Sequence, residues 1–333
     1  MTKTPDIMFV CCVESGSLES QTVRMVQSLR QYGGKFASAP VVAVNSRFGP
    51  PLSRKTHQIF EQYEIEYLVL HSDMSSNHYS WNNYMNKPHA ILAVNERSKS
   101  EAIGWLDSDL LFVNEPDQLN LRADESFLAC TPDRIGGTTG LIDPLEPYWL
   151  SVCSLLNLDI DLLPWVTTEI EHERIRYYFN SGVFVYRRET SFAKQYLQNC
   201  TKILDARISS EVCGFFFTDQ VALGLTAFQL GLPWRSLPYS HNCTMGSSTH
   251  NKWYSEDALR NACIIHYHDA MWFPFWLILL ESLRNTHPEV EKWLAPLGPM
   301  SNQAPLQWRF MSKVLTNFRT LAKNTYKQNC LNV

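Results

Sequence analysis

Two carboxylates one residue apart, in Asp107-Ser108-Asp109, are the side chains with the clearest capacity for chemistry. They follow a short apolar stretch, residues 102–106, which is typical of a buried strand. Oxygen ligands of this kind suit Mg2+ or Mn2+, and α/β sheets bind ligands at the carboxyl ends of their strands. The motif therefore predicts a divalent-metal site. Acidic turns after strands are common, so this prediction needs support from other residues.

A polar turn, Asn180-Ser181-Gly182, leads into a second strongly apolar run, residues 183–186. The amide of Asn180 and the hydroxyl of Ser181 suit the hydroxyl groups of a sugar, and Gly182 permits close approach by backbone or ligand. A simple turn before a strand is the alternative interpretation.

Two further polar positions lie beside predicted elements. Asp219 and Gln220 precede a helical pattern at residues 221–225, so Asp219 is either a helix N-cap or a carboxylate aimed into a cleft. His266 ends an apolar run that begins at Cys263. It is either a third metal ligand or a packed histidine at a strand end.

The elements that must position these residues alternate between strand and helix patterns. Apolar runs of strand length and segments of helical periodicity follow one another in the first half of the chain. The strand patterns are residues 7–13, 40–44, 66–70 and 102–106, and the helix patterns are near residues 23–29, 53–63 and 87–95. This alternation predicts a mostly parallel sheet with helices on both faces.

Composition narrows the functional classes. The 333 residues include 45% hydrophobic and 19% charged residues, which suits a folded domain. The formal net charge of -4 gives no overall attraction to nucleic acid. Nine scattered cysteines lack the paired spacing of a zinc site, so free buried thiols are expected. No signal-like segment is found, and we expect a cytoplasmic protein.

The end of the chain is locally cationic. Residues 293–333 contain no acidic residue but include the basic residues Arg309, Lys313, Arg319, Lys323 and Lys327. A proposed apolar helix face is formed by Met311, Leu315, Phe318 and Ala322. We expect a transferase domain over residues 1–285 and a basic amphipathic helical extension over residues 286–333. The extension either docks on the domain or lies peripherally at the inner face of a membrane.

Taken in order, the polar motifs resemble those of the glycogenin and lipopolysaccharide galactosyltransferase group, which is family 8-like. The resemblance spans residues 7–276. It is carried by Asp107-Ser108-Asp109, Phe179 to Val183, Asp219-Gln220 with Leu223, Leu237-Pro238 with Asn242, and Ile265-His266-Tyr267. It implies a GT-A fold, which is a Rossmann-like α/β architecture, here with a C-terminal helical tail.

The same resemblance implies roles for individual residues. Asp107, Asp109 and His266 would hold Mn2+ or Mg2+ against the diphosphate of a nucleotide-sugar donor. The other implied donor contacts are Cys12, Val13, Glu14 and Ser15 at the base and ribose, Lys87 at the diphosphate or sugar, Ser108 within the metal motif, and Asn180, Ser181 and Gly182 at the sugar. Asp219 and Gln220 would lie beside the anomeric carbon.

One departure from the family pattern concerns the last motif. The family usually continues from its histidine through a glycine to a lysine that contacts donor phosphate, but neither residue is present between His266 and Trp276. Another basic residue must take over that contact, or the donor must bind differently. His268 also competes with His266 as a candidate metal ligand.

The expected function is metal-dependent transfer of a hexose, with UDP-sugar favoured as donor and retention of configuration implied. The acceptor is a glycan, a lipid-linked molecule or a small molecule. Its site is expected at residues 143–176, where Trp149 and Trp165 would stack on sugars and Glu169, Glu171 and Glu173 would bond hydroxyls, unless these residues simply pack.

Three alternatives stay open. One is a non-catalytic module that binds sugar nucleotide or glycan. Another is a phosphatase with Asp107 as nucleophile, although Leu111 stands where such enzymes carry Thr or Val. The third is a nucleotidyltransferase, although residues 12–17 lack the Gly-rich basic loop it would need.

Overall fold

A computed structural model describes residues 6–70, 79–247 and 254–333. Its strands and α-helices are β1 (Ile7–Cys12), α1 (Ser17–Tyr32), β2 (Val41–Asn45), α2 (Arg54–Gln62), β3 (Ile65–Val69), α3 (Asn86–Asn95), β4 (Ala102–Leu106), β5 (Leu110–Phe112), β6 (Phe127–Cys130), α4 (Glu146–Leu155), β7 (Trp165–Thr167), β8 (Arg174–Arg176), β9 (Asn180–Arg187), α5 (Phe192–Asp205), β10 (Ile208–Ser209), α6 (Thr218–Gln229), β11 (Trp234–Leu237), β12 (Cys243–Thr244), α7 (Glu256–Arg260), β13 (Ile264–His266), α8 (Trp276–Thr286), α9 (Pro288–Leu294), α10 (Leu306–Gln328) and β14 (Leu331–Asn332).

The central sheet has seven strands in the order β11-β6-β9-β4-β1-β2-β3. Strands β1 to β4 pair in parallel, and β11 pairs in parallel with β6. Strand β9 is antiparallel to both of its neighbours, β4 and β6. Helices surround the sheet, and a long helix lies near the C-terminus of the chain. The predicted mostly parallel α/β fold is confirmed.

Alternation along the central strands divides the core between the two faces of the sheet. In β1, Val10 and Cys12 belong to one apolar cluster, whereas Phe9 and Cys11 belong to another. This is the two-residue period of a strand that is buried on both faces. In the neighbouring strand β4, Gly104 leaves the space that the Phe9 ring occupies, because a Cβ there would lie 2.7 Å from Phe9 Cδ1.

The substitution Gly104→Ala should therefore lower the free energy of unfolding by about 1–3 kcal/mol, since the added methyl group overpacks the core. Urea unfolding measures the change. Gly49→Ala is the matched control because a Cβ at Gly49 meets no atom within 4 Å. Equal loss of stability in the two variants would contradict this account of the strand.

A second, three-stranded sheet connects the predicted metal motif to the last motif of the sequence. Strand β5 follows the motif directly, and β13 pairs antiparallel to it with His266 opposite Leu110. The N–H of Tyr267 then donates to the carbonyl of Asp109 at 3.0 Å. The end of β13 is thereby fixed beside the turn that carries Asp109.

The C-terminal helix α10 docks on the domain through its last turn. Tyr326 is buried, and its hydroxyl donates to the carbonyl of Leu204 at 2.8 Å. Strand β14 pairs with β10 just beyond it. No helix among the described residues is long and apolar enough to span a bilayer. The proposed division of the chain at residue 285 stays a prediction.

The predicted apolar face of this helix is only partly covered by the domain. Met311 and Leu315 are half-buried, but Phe318 is 66% exposed and Ala322 is also exposed. Arg319 faces the domain instead and donates to the carbonyl of Phe48 at 2.7 Å. Positions 311 and 318 lie only about 20° apart around a helix, so the helical period does not separate them. The difference in exposure instead follows from where the domain surface meets the helix, at Arg319 and Tyr326.

Candidate metal and donor site

A cleft of about 570 Å3 opens where the carboxyl ends of β1 and β4 meet, which is within the usual size range of ligand pockets. Most of the residues predicted for donor and metal binding contribute to its lining. These are Cys12, Glu14, Lys87, Asp107, Ser108, Asp109, Asn180, Gln220 and His266. The fold therefore brings together side chains that are separated by more than 200 positions in the sequence.

The densest group of metal-ligating atoms belongs to Asp109, His266 and His268. One ligand atom from each residue lies within 4.8 Å of the other two. The Nε2 atom of His266 is 3.2 Å from Oδ1 of Asp109, and Nδ1 of His268 is 3.7 Å from Oδ2. The two imidazole rings stack with their centroids 4.0 Å apart. A carboxylate and two imidazoles are a donor set that fits a divalent cation.

A chain of amides orients His266. Its Nδ1 lies 3.0 Å from Oδ1 of Asn242, so the ring donates there and keeps Nε2 free for a metal. The Nδ2 of Asn242 donates to Oδ1 of Asn180 at 2.9 Å, and the N–H of Gly182 donates to the same oxygen at 2.8 Å. Because Oδ1 of Asn180 already accepts twice, its amide NH2 group is the part left for a ligand.

The charges in this group are strongly coupled. Burial would raise the pKa of Asp109, but the imidazoles of His266 and His268 outweigh it and hold that pKa well below its usual range. Burial would lower the pKa of His266, but the charge of Asp109 raises it. The pKa of His268 is lowered by burial and by the neighbouring His266. The arrangement therefore favours an ionised Asp109 and a neutral His268.

Asp107 is held by a different set of partners. Its Oδ1 accepts from Nε1 of Trp105 at 2.7 Å and lies 3.3 Å from the ammonium nitrogen of Lys87. Burial raises the pKa of Asp107 despite the positive charge of Lys87. Asp107 lies outside the group of described side chains whose ligand atoms approach within 4.8 Å.

Two predicted sugar contacts are buried behind the cleft wall. Asp219 is only 3% exposed, and its Oδ2 accepts from Lys87 at 3.2 Å and from the hydroxyl of Ser181 at 2.7 Å. Lys87 also donates to the carbonyl of Ser181 at 2.8 Å. Neither Asp219 nor Ser181 lines the cleft. The expected places of Ser181 at the donor sugar and of Asp219 beside the anomeric carbon stay predictions.

Gln220, the neighbour of Asp219, does face the cleft. The hydroxyl of Tyr178 donates to its Oε1 at 2.6 Å, which leaves the amide NH2 group of Gln220 free for a ligand. Gly182 lies directly against the imidazole of His266. A Cβ on Gly182 would lie 2.7 Å from Cε1 of His266, so the close approach is made by this imidazole.

The segment after β1 contributes only part of its predicted surface. Val13 is fully buried in the core, and Ser15 does not line the cleft. Glu14 lines it but is already paired, since both of its oxygens accept from Arg47 at 2.7 Å. Cys12 lines the cleft, and its carbonyl accepts from the hydroxyl of Ser108 at 2.7 Å.

The two tryptophans of the expected acceptor region make packing contacts. Trp149 is completely buried, and its Nε1 donates to the carbonyl of Gly136, so it cannot stack on a sugar. Trp165 is half-buried between two guanidinium groups, those of Arg174 and Arg176, at 5.0 and 4.9 Å from its ring. The alternative of structural packing fits both tryptophans.

Asp133 is a cleft residue that the motifs did not identify. It follows β6 just as Asp109 follows β4, and this position after a buried strand was a usable signal. Burial raises its pKa to about 6, although a hydrogen bond from the N–H of Ile135 opposes the shift. Asp133 therefore changes charge near neutral pH.

This shift predicts how the stability of Asp133→Asn depends on pH. Because folding raises the pKa, the carboxyl stabilises the fold least once it is ionised, and the wild type loses stability as pH rises from about 4 to 7. The variant lacks this loss, so its stability relative to wild type should improve by about 2–3 kcal/mol over that range. Urea unfolding at several pH values measures this. Asp124→Asn, at an exposed position, is the control, and a pH-independent difference would refute the assignment.

Comparison with known proteins identifies the chain's relatives. The family model described as "Rhodobacterales glycosyltransferase domain" matches residues 9–231. No curated protein sequence matches the chain. The bifunctional glycosyltransferase WbbM in its apo form is 12% identical with a TM-score of 0.50, and the match covers 88% of this chain. This chain spans about half of that protein, 52%. At 12% identity, the likeness shows a shared fold.

Two other solved structures are similar at lower scores. The glycosyltransferase GlyE of Streptococcus pneumoniae TIGR4 has a TM-score of 0.47 at 12% identity, covering 91% of this chain and 67% of that protein. The galactosyltransferase LgtC, solved with donor and acceptor sugar analogs, has a TM-score of 0.48 at 13% identity, covering 91% and 99%.

Proposed function

Because the chain belongs to the Rhodobacterales glycosyltransferase family, we propose that it transfers a hexose from a nucleotide-diphosphate sugar in a metal-dependent reaction. UDP-sugar is the favoured donor. The acceptor is a glycan, a lipid-linked molecule or a small molecule, and the anomeric configuration is retained. The observation that carries this proposal is the cluster of Asp109, His266 and His268 inside a cleft of ligand size.

The donor set fits Mn2+ or Mg2+, with Asp109 and His266 as direct ligands and Asp107 joining through water. A bound divalent cation would act as a Lewis acid that stabilises the charge developing on the leaving diphosphate. Lys87 and Arg47 are the Lys and Arg side chains among the described residues that line the cleft. They are therefore the candidates to replace the phosphate-binding lysine that the last motif lacks.

The sugar is proposed to lie against Asn180 and Gln220. Each of these side chains has its amide oxygen occupied within the protein and presents its NH2 group to the cleft. Asp219 is proposed to act indirectly, because its contact with Lys87 orients that ammonium group. A retaining transfer in which the leaving phosphate assists the acceptor hydroxyl needs no enzymic nucleophile, which agrees with a buried Asp219.

The test is release of free nucleotide from a panel of UDP- and GDP-sugars in the presence of Mn2+, because slow hydrolysis needs no known acceptor. We expect release from one donor, loss of release with EDTA, and a decrease of at least about 100-fold in Asp109→Asn. Asp124→Asn introduces the same change at an exposed position and should match the wild type.

Metal-independent release that survives in Asp109→Asn would contradict the proposed metal site. Tight donor binding without turnover, measured by calorimetry across an acceptor panel, would instead identify the chain as a binding module of this fold. Absence of donor binding would contradict the donor assignment itself.

Peripheral membrane contact through α10 is a further part of the proposal. Phe310, Phe318 and Leu321 are each more than 60% exposed and fall on one side of the helix. Lys313 and Lys323 are exposed on the same helix. An apolar stripe flanked by basic residues suits the interface of an anionic bilayer.

The double substitution of Phe310→Ser and Phe318→Ser should therefore weaken partition to vesicles by at least about tenfold. Co-sedimentation with phosphatidylcholine vesicles, with and without phosphatidylglycerol, measures this. The control combines Leu141→Ser and Leu162→Ser, which are exposed leucines outside the helix. Failure of the wild type to bind anionic vesicles at low salt would contradict membrane contact.

A further inference from the structure

We propose that His268 is a third protein ligand of the metal, so that two imidazoles and one carboxylate hold the ion and select Mn2+ over Mg2+. This inference rests on the proposed metal site. It assigns a specificity-determining role to a residue outside the implied ligand set of Asp107, Asp109 and His266.

The geometry that carries the proposal is a carboxylate with one imidazole at each oxygen. Oδ1 of Asp109 faces Nε2 of His266, and Oδ2 faces Nδ1 of His268. The ligand atoms of the three residues lie within 4.8 Å of one another, so a single ion can contact all three after small side-chain movements. His268 also lines the cleft, so its ring is accessible to an ion that enters from there.

The backbone around His268 is held in a costly conformation. Its φ angle is 50°, in the left-handed region that residues other than glycine seldom adopt. The turn is fixed on one side by the hydrogen bond from Tyr267 N–H to the Asp109 carbonyl. On the other side, the carboxylate of Asp269 accepts from the N–H of Ser247 at 2.7 Å. This fixed turn places the second imidazole beside Asp109.

Asp107 is poorly arranged to be the third ligand. Its Oδ1 is engaged by Trp105 and Lys87, and an ion next to it would face the ammonium group of Lys87. A neutral imidazole in its place makes the site softer and less negative than a pair of carboxylates. Mg2+ prefers oxygen ligands, whereas first-row transition ions accept imidazole readily. The set therefore favours Mn2+.

Titration calorimetry with MnCl2 and MgCl2 on the full chain, without nucleotide, tests the assignment. We expect His268→Ala to weaken Mn2+ binding by at least about tenfold and to change Mg2+ binding much less, so that the preference for Mn2+ shrinks. His268→Asn is a second variant, since asparagine tolerates the left-handed backbone and protects against a folding defect. His57→Ala, an exposed histidine on α2, is the matched control and should bind like the wild type.

Pulsed electron paramagnetic resonance of the Mn2+ complex gives a second readout, because it detects ligand nitrogen. We expect two coupled imidazole nitrogens in the wild type and one in either His268 variant. Wild-type affinity and two nitrogens in the folded His268 variants would overturn the role of His268 and leave the proposed function standing. Absence of Mn2+ binding in the wild type would overturn both.

Discussion

The buried ammonium group of Lys87 is the charge on which the wall of the cleft depends. It is 5% exposed and is neutralised by Asp107 at 3.3 Å and Asp219 at 3.2 Å. Burial would lower the pKa of Lys87, but the two carboxylates raise it. Removing one partner from such a group leaves an uncompensated buried charge, at a cost of about 3–5 kcal/mol. The helix that carries Lys87, the turn after β4 and the start of α6 are therefore held in one arrangement.

A second charged group is centred on Asp109 and is separate from the group around Lys87. Asp109 is turned toward the end of β13, where the small three-stranded sheet brings His266. The fold thus separates a lysine-bound aspartate from an imidazole-bound aspartate only two residues away. One is oriented by a fixed cation, and the other has the partners that a metal ion would require. This division gives the two residues of the motif different chemistry.

The sequence was sufficient to predict those features of the candidate site that depend on a short stretch of chain. The position of Asp107 and Asp109 after a buried strand, and the apolar runs of β1 and β4, both follow from short stretches of chain. The same rule applied to β6 would have found Asp133. What the sequence could not supply was the orientation of side chains that depends on distant partners. Asp219 is buried and does not line the cleft, and it pairs with a lysine 132 positions earlier.

The C-terminal helix shows the same limit. Its basic and apolar pattern predicted an amphipathic helix, but which face docks is decided by long-range contacts such as that of Tyr326 with Leu204. Similarly, Trp149 and Trp165 were predicted to bind sugar from their residue type alone. Whether an aromatic ring is exposed depends on the packing of elements that are far apart in sequence, as at Trp149.

The central claim is that Asp109 and His266 hold a divalent cation in this cleft. A crystal structure of the protein with Mn2+ and UDP, with anomalous diffraction measured at the manganese absorption edge, tests it most directly. The account predicts one strong anomalous peak within coordination distance of Asp109 and His266. A structure with ordered nucleotide but no such peak, or with the peak at another site, would contradict it.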